Sequence, residues 1–146
     1  SSDVNQYTGY SVRKYHPRAG YSSTVGTEAL NYKNNYRVIR FSDILLMASE
    51  ALLRSGGSVG EAQDYYARVV KRAMGDDYKV PTVSLDNIYK ERRYEFAMEG
   101  IRYWDLVRTN QAKDFIKGWD DTKKYLPIPQ SEIDKSDGHL VQNPHF

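Results

Sequence analysis

The chain has no cysteine. Disulfides, thiolate nucleophiles and cysteine-based zinc sites are therefore excluded, and the redox compartment stays open. Charge of one sign is also lacking: 21 basic residues face 19 acidic ones for a net +2, and no run of lysine and arginine exceeds two. That field is too weak to argue for nucleic acid, and no nucleic-acid partner is expected. The longest apolar run, around Ile44 to Ala48, falls far short of the roughly 20 residues a spanning helix requires. No glycine-rich phosphate loop is present, which removes the common nucleotide-binding signature. Phenylalanine is scarce, at four against thirteen tyrosines. A tyrosine hydroxyl wants a partner or water, so many of these rings belong at surfaces or interfaces.

What is present suits one domain of 146 residues, a length that buries roughly two thirds of the unfolded surface. Residues 1–36 hold Gly9, Pro17, Gly20 and Gly26 among tyrosines and read as a mostly irregular loop region. Its exposed rings, Tyr7 and Tyr10 among them, are candidates for a ligand or partner surface; the alternative is that they pack against a further portion of a longer protein. Residues 37–112 carry helical periodicity. Phe41, Ile44, Leu45, Ala48 and Leu52 recur at spacings of three and four, giving an amphipathic helix near 40–55 with Ser42 as its candidate cap. Gly56-Gly57 stops it, and a second helix near 60–74 turns Ala62, Tyr65, Tyr66, Val69, Val70 and Ala73 to one face. Together they form a helical hairpin of tetratricopeptide type.

The next helices are expected near 85–99 and 101–110, with Ser84 or Asp86 as cap and Gly100 as the break. Leu85, Ile88, Tyr89, Phe96 and Tyr103 share one stripe, which also passes through Arg92 and Glu99, with Glu95 one turn from each. Charges on a core-facing stripe must be paired, so Arg92, Glu95 and Glu99 are assigned to a structural ion-pair cluster. Glu91, Glu95 and Glu99, spaced by four, could in principle hold a metal or act as acid and base. The Glu-x-x-His companion of carboxylate metal sites is missing, and with arginines alongside, ion pairing is the simpler account. No catalytic residue, metal or cofactor is assigned. Residues 113–146 read as loop and tail: Leu126-Pro-Ile-Pro129 is extended, Ser131 caps a short turn at Glu132 to Asp134, and Asp137-Gly138 makes a turn. Trp119 either stacks on a sugar ring or caps the core. The fold class is thus mainly α, with tetratricopeptide-like hairpins, long irregular loops and an extended proline-containing C-terminal tail.

Four segments in order carry a family resemblance: Arg40-Phe-Ser-Asp-Ile-Leu-Leu-Met-Ala-Ser-Glu-Ala51, Glu91-Arg-Arg-Tyr-Glu-Phe-Ala-Met-Glu-Gly-Ile-Arg-Tyr-Trp-Asp-Leu-Val-Arg108, Tyr125-Leu-Pro-Ile-Pro-Gln-Ser-Glu-Ile133 and Asn143-Pro-His-Phe146. They resemble the C-terminal signature of SusD/RagB-like proteins, the nutrient-binding outer-membrane lipoproteins of Bacteroidetes. Ala48-Ser49 and His145-Phe146 depart from the family's usual Tyr-Ala and Gly-Tyr, which bears on packing and not on the assignment. The resemblance implies a non-enzymatic glycan-binding protein exposed at the cell outer membrane, delivering oligosaccharide to a SusC-like TonB-dependent transporter. It also implies membrane attachment through an N-terminal lipid anchor that is not in this sequence, so the chain is expected to be the C-terminal part of a longer protein. No sugar-binding residue transfers from the family. A tetratricopeptide-like scaffold for a protein partner, without carbohydrate role, is the alternative.

Overall fold

The computed structural model describes Lys14 and residues 35–146. These are helical and irregular, with no strand among the described residues. The helices are α1 (Phe41–Ser55), α2 (Val59–Met74), α3 (Leu85–Glu95), α4 (Arg102–Arg108), α5 (Ala112–Phe115) and α6 (Gln130–Lys135), with a 3₁₀ turn at Asp121–Lys124. They fall into two compact units, one up to Met98 and one from Glu99 onward.

In the first unit α1 and α2 form the expected hairpin, and α3 packs on α1. Gly56 takes φ 71° at the end of α1, the left-handed conformation that costs glycine nothing. Ser58 then caps α2, its hydroxyl accepting from the Glu61 N–H at 3.2 Å. The face α1 buries differs from the one its apolar spacing suggests. Ser42, Leu45, Leu46, Ser49 and Glu50 are buried, whereas Phe41 and Ile44 remain largely exposed. The reason is that two helices must be met at once: Ser49 and Ala62, each 0% exposed, let α1 and α2 approach closely, and Ser49 Oγ donates to the Ala62 carbonyl at 2.7 Å. Ser42 accordingly sits inside the helix. The N-cap is Arg40, extended at φ −121° and ψ 159°, and no side chain caps this end.

On α2, Ala62, Tyr66, Val69 and Val70 are buried, and α3 buries Ile88, Tyr89 and the charged Arg92 and Glu95. Ser84 is the cap of α3, accepting from the Asn87 N–H at 3.1 Å. The α2–α3 connector is clamped by one side chain. Gln63 accepts from the Val83 N–H at 2.6 Å and donates to the Pro81 carbonyl at 3.2 Å, satisfying backbone that has no ladder of its own.

α3 stops at Glu95, one turn before the position its periodicity predicts. The Glu95 carbonyl is taken by side-chain cations, Lys14 Nζ at 2.8 Å and Arg40 Nη2 at 3.1 Å, in place of a further helical N–H. Cations at a helix C-terminus are also favoured by the backbone dipole. The chain then turns through Met98 at φ 64° and Gly100 at φ 79°. Glu99 therefore lies outside α3 and cannot continue the row of Glu91 and Glu95.

In the second unit α4 and α5 pack together, burying Asp105, Leu106 and Ala112. Leu126 to Pro129 is irregular and extended, and the C-terminal residues clamp it. Gln142 accepts from the Ile128 N–H at 2.8 Å and donates to the Ile128 carbonyl at 2.9 Å, while Asn143 donates to the Leu126 carbonyl at 2.6 Å. α6 begins earlier than expected, directly after Pro129, whose carbonyl accepts from the Glu132 and Ile133 N–H groups. Ser131 therefore sits within the helix and does not cap it. Asp137 and Gly138 turn the chain with φ of 50° and 82°, as that dipeptide favours.

The tight Ser49–Ala62 contact yields a stability prediction. Ala62→Leu inserts three carbons where no space exists and should lower unfolding free energy by about 1–3 kcal/mol, with Gln63→Ala costing about 1 kcal/mol through the freed Val83 N–H. Urea unfolding followed by circular dichroism measures both; an Ala62→Leu variant as stable as the parent would show that the helices do not meet there.

Candidate functional site

Two groups of side chains stand out, one in each unit. The first is the charged cluster of the helical hairpin and α3. Glu95 is 4% exposed at its side chain, and its two oxygens face different helices: Oε1 accepts from Arg40 Nη1 at 2.8 Å and Oε2 from Arg72 Nη2 at 2.5 Å. Burial pushes this carboxyl up, but the Arg40 hydrogen bond, the Ser42 hydroxyl and the Arg72 charge outweigh it and hold it below the usual carboxylate range. Arg92 is buried, as its stripe position requires, and its Nη1 bonds Asp43 Oδ1 of α1 at 2.6 Å. Both Arg40 and Arg92 also lie over the buried Phe96 ring, at 4.9 and 5.0 Å. Sequence spacing sought partners along a single stretch, whereas three of the partners, Arg40, Arg72 and Asp43, come from around and within α1 and α2. Glu99 is buried but lies beyond α3.

Glu91 differs from Glu95. Half-buried, its carboxyl is pushed up first by burial and then by the Glu95 charge, against the pull of Arg72. Nearby Tyr66 is raised to about 12 by burial and by the charge of Glu91. A depressed and a raised carboxyl side by side would suit acid and base roles, but Glu95 spends its oxygens on two arginines inside the helical packing. Among the described residues no group of three or more histidine or acidic side chains could hold a metal ion.

The second group is aromatic and surrounds Trp119. The half-buried Trp119 ring meets Tyr103 edge-on at 6.1 Å, and Tyr103 meets Trp104 at 5.1 Å with planes 88° apart. Trp119 Nε1 donates to Asp121 Oδ1 at 3.3 Å, and the Tyr103 hydroxyl donates to the Lys123 carbonyl. Asp120 caps the 3₁₀ turn between them, accepting from the Thr122 N–H at 2.8 Å. Trp119 is thus half-buried against Tyr103, with its indole nitrogen bonded to Asp121. Trp104 and Tyr103, of which spacing placed only Tyr103, on the core stripe, complete the group. The other two aromatic candidates, Tyr7 and Tyr10, lie outside the described residues.

The SusD family model matches residues 1–118. The chain belongs to the SusD family. Among solved structures, the surface glycan-binding protein A of Bacteroides thetaiotaomicron aligns with a TM-score of 0.69 and 44% identity, covering 82% of this chain and 26% of its own. A SusD-like protein of Bacteroides fragilis aligns with a TM-score of 0.59 and 26% identity over 77% of this chain. Of curated relatives, SusD-like protein P2 of Formosa agariphila is 25% identical over 92% of this chain, which spans 30% of that relative. A SusD-like protein of Bacteroides ovatus is 32% identical over 53% of the chain. This SusD-family chain thus spans under a third of the length of P2, and its helical architecture agrees with that of its structural neighbours.

The two carboxyls predict opposite responses to pH. For Glu95, whose folded pKa is depressed, the stabilisation is present above the ordinary carboxylate value of 4.5 and is lost as pH falls through the folded value. For Glu91, whose folded pKa is raised, the favourable contribution exists below 4.5 and is lost as pH rises through the folded value. Glu91→Gln should therefore stabilise the SusD-family chain near neutral pH and lose that advantage in acid, whereas Glu95→Gln should destabilise it near neutral pH. Thermal melting across pH 3 to 8, about the range of carboxyl titration, distinguishes them; equal effects of both substitutions at neutral pH would refute the assignment.

Proposed function

We propose that the whole protein to which this chain belongs captures oligosaccharide at the outer surface of the cell outer membrane and passes it to a SusC-like TonB-dependent transporter. The observation that carries this is the alignment with surface glycan-binding protein A, 44% identical over 82% of the chain. An N-terminal lipid anchor holds such a protein at the membrane, and no described helix is long and apolar enough to cross it. The role is binding and not catalysis: of the carboxylates that spacing lines up, Glu95 is committed to Arg40 and Arg72, and Glu99 lies outside α3. Binding belongs to the whole protein, because these 146 residues span 26% of the glycan-binding relative.

A glycan array and calorimetric titration test this. The whole protein should bind at least one oligosaccharide, leave it uncleaved and need no added metal, while the 146-residue chain alone binds weakly or not at all. It should also co-purify with the transporter encoded beside it. Glycan cleavage that disappears on Glu95→Gln, or a whole protein that binds no glycan and instead captures a protein partner, would overturn the proposal.

A further inference from the structure

The aromatic group of the second unit supports a more specific assignment, which rests on the glycan-binding role proposed above. Exposed aromatic rings scattered singly need no explanation. Here three rings run in contact, and their setting is built. The 3₁₀ turn at Asp121–Lys124 holds Tyr103 through the Lys123 carbonyl and Trp119 through Asp121. The turn is in turn fixed by Lys123 Nζ donating to the Gly118 carbonyl, by the Lys124–Asp121 pair at 3.1 Å, and by the Asp120 cap. Tyr103 and Trp119 use their polar atoms in this scaffold and are half-buried. Trp104 is 51% exposed, with Tyr103 against it at 5.1 Å.

One turn beyond Trp104 on the same side of α4 stands Arg108. Its side chain is 40% exposed and its guanidinium is tethered by the buried Asp105, with Nε and Nη2 both 2.8 Å from Oδ1. An indole surface beside a planar, oriented donor group matches the two sides of a sugar, whose C–H face is apolar and whose edge carries hydroxyls. Rings and guanidinium held by the fold before the ligand arrives reduce the ordering cost of binding. Phe115, another exposed ring of this unit, is different: the Arg102 guanidinium lies over its face at 5.0 Å, so that face is occupied.

We propose that α4 carries a sugar-stacking subsite in which Trp104 is the contact ring, Arg108 the hydroxyl donor, and Tyr103 and Trp119 position the indole. Trp119, the aromatic residue that the sequence singles out, then acts through Tyr103 and does not itself touch sugar. The ligand is an oligosaccharide that offers one open pyranose face.

The test uses the whole protein and a panel of malto-, cello-, xylo- and manno-oligosaccharides in calorimetric titration. Trp104→Ala should weaken binding about threefold to tenfold, the range expected for one aromatic contact. Trp104→Tyr should keep most of the affinity, and Phe115→Ala should leave it unchanged. Hydroxyl-radical footprinting of the unaltered protein gives a readout that does not depend on a variant folding: oxidation of Trp104 should fall when the bound oligosaccharide is added. Unchanged affinity of a folded Trp104→Ala variant, or unchanged oxidation of Trp104 under saturating sugar, would overturn the subsite while leaving the glycan-binding role intact. A parent protein that binds nothing in the panel would overturn both.

Discussion

A carboxylate taken out of water must be met by cations or it will not stay charged, and the packing of the first unit follows from meeting that requirement at Glu95. Its two oxygens are shared between Arg40, at the entrance of α1, and Arg72, in the last turn of α2. One side chain of α3 thereby ties the start of the first helix to the end of the second. Apolar contacts such as Leu46, Val69 and Ile88, all at most 2% exposed, supply the bulk of the burial energy, but they are tolerant of small slips. The paired charge is not tolerant, because a shift that strands it costs several kcal/mol. The ion pairs therefore set the register that the apolar contacts fill.

The same residue decides where α3 ends. Arg40 bonds both the Glu95 side chain and its carbonyl, and Lys14 bonds the carbonyl as well. With the carbonyl occupied, the chain is released into the Phe96–Gly100 turn, and Phe96 enters the core between the guanidinium groups of Arg40 and Arg92. The cluster thus has three tasks: it pairs the buried charges, it stops the helix and it covers an aromatic ring. Catalysis would need at least one of these groups to be open to a substrate, and Glu95 has its oxygens committed to packing. This is the physical reason that carboxylates aligned by sequence spacing need not mark an active site.

Much of the helical order was legible in the sequence. The periodicities around Leu45, Val69 and Ile88, the Gly56-Gly57 stop, the Ser84 cap and the Asp137-Gly138 turn each rest on local preferences that the structure obeys. The family was legible in the four ordered segments, of which the family model covers the first two, and the structural neighbours agree with the family. What spacing could not supply was the third dimension. Asp43 pairs with Arg92 across 49 positions and Arg40 with Glu95 across 55, and no local pattern reports such distances. α1 buries Ser42 and Ser49 in preference to Phe41 because close helix approach favours small residues there, a choice that a hydrophobicity pattern misses. The tail showed the same limit: Gln142 and Asn143 are ordinary polar residues in sequence, yet they hold the proline segment in place of a paired strand. Tyr103 and Trp104 were visible as aromatics, but their contact with Trp119 depends on the fold of the intervening turn.

The chain therefore combines a helical hairpin and α3, locked by charge, with a second unit whose aromatic residues are organised by a short turn. The first contributes architecture to a SusD-family protein and the second contributes exposed, oriented surface. A double-mutant cycle on Arg40 and Glu95, with Arg40→Met, Glu95→Gln and the double variant compared in urea unfolding, tests the central claim most directly. The account predicts a coupling energy of about 1–3 kcal/mol, as expected for residues sharing one network. Additive effects, with coupling near zero, would mean that the buried carboxylate does not hold the helices together.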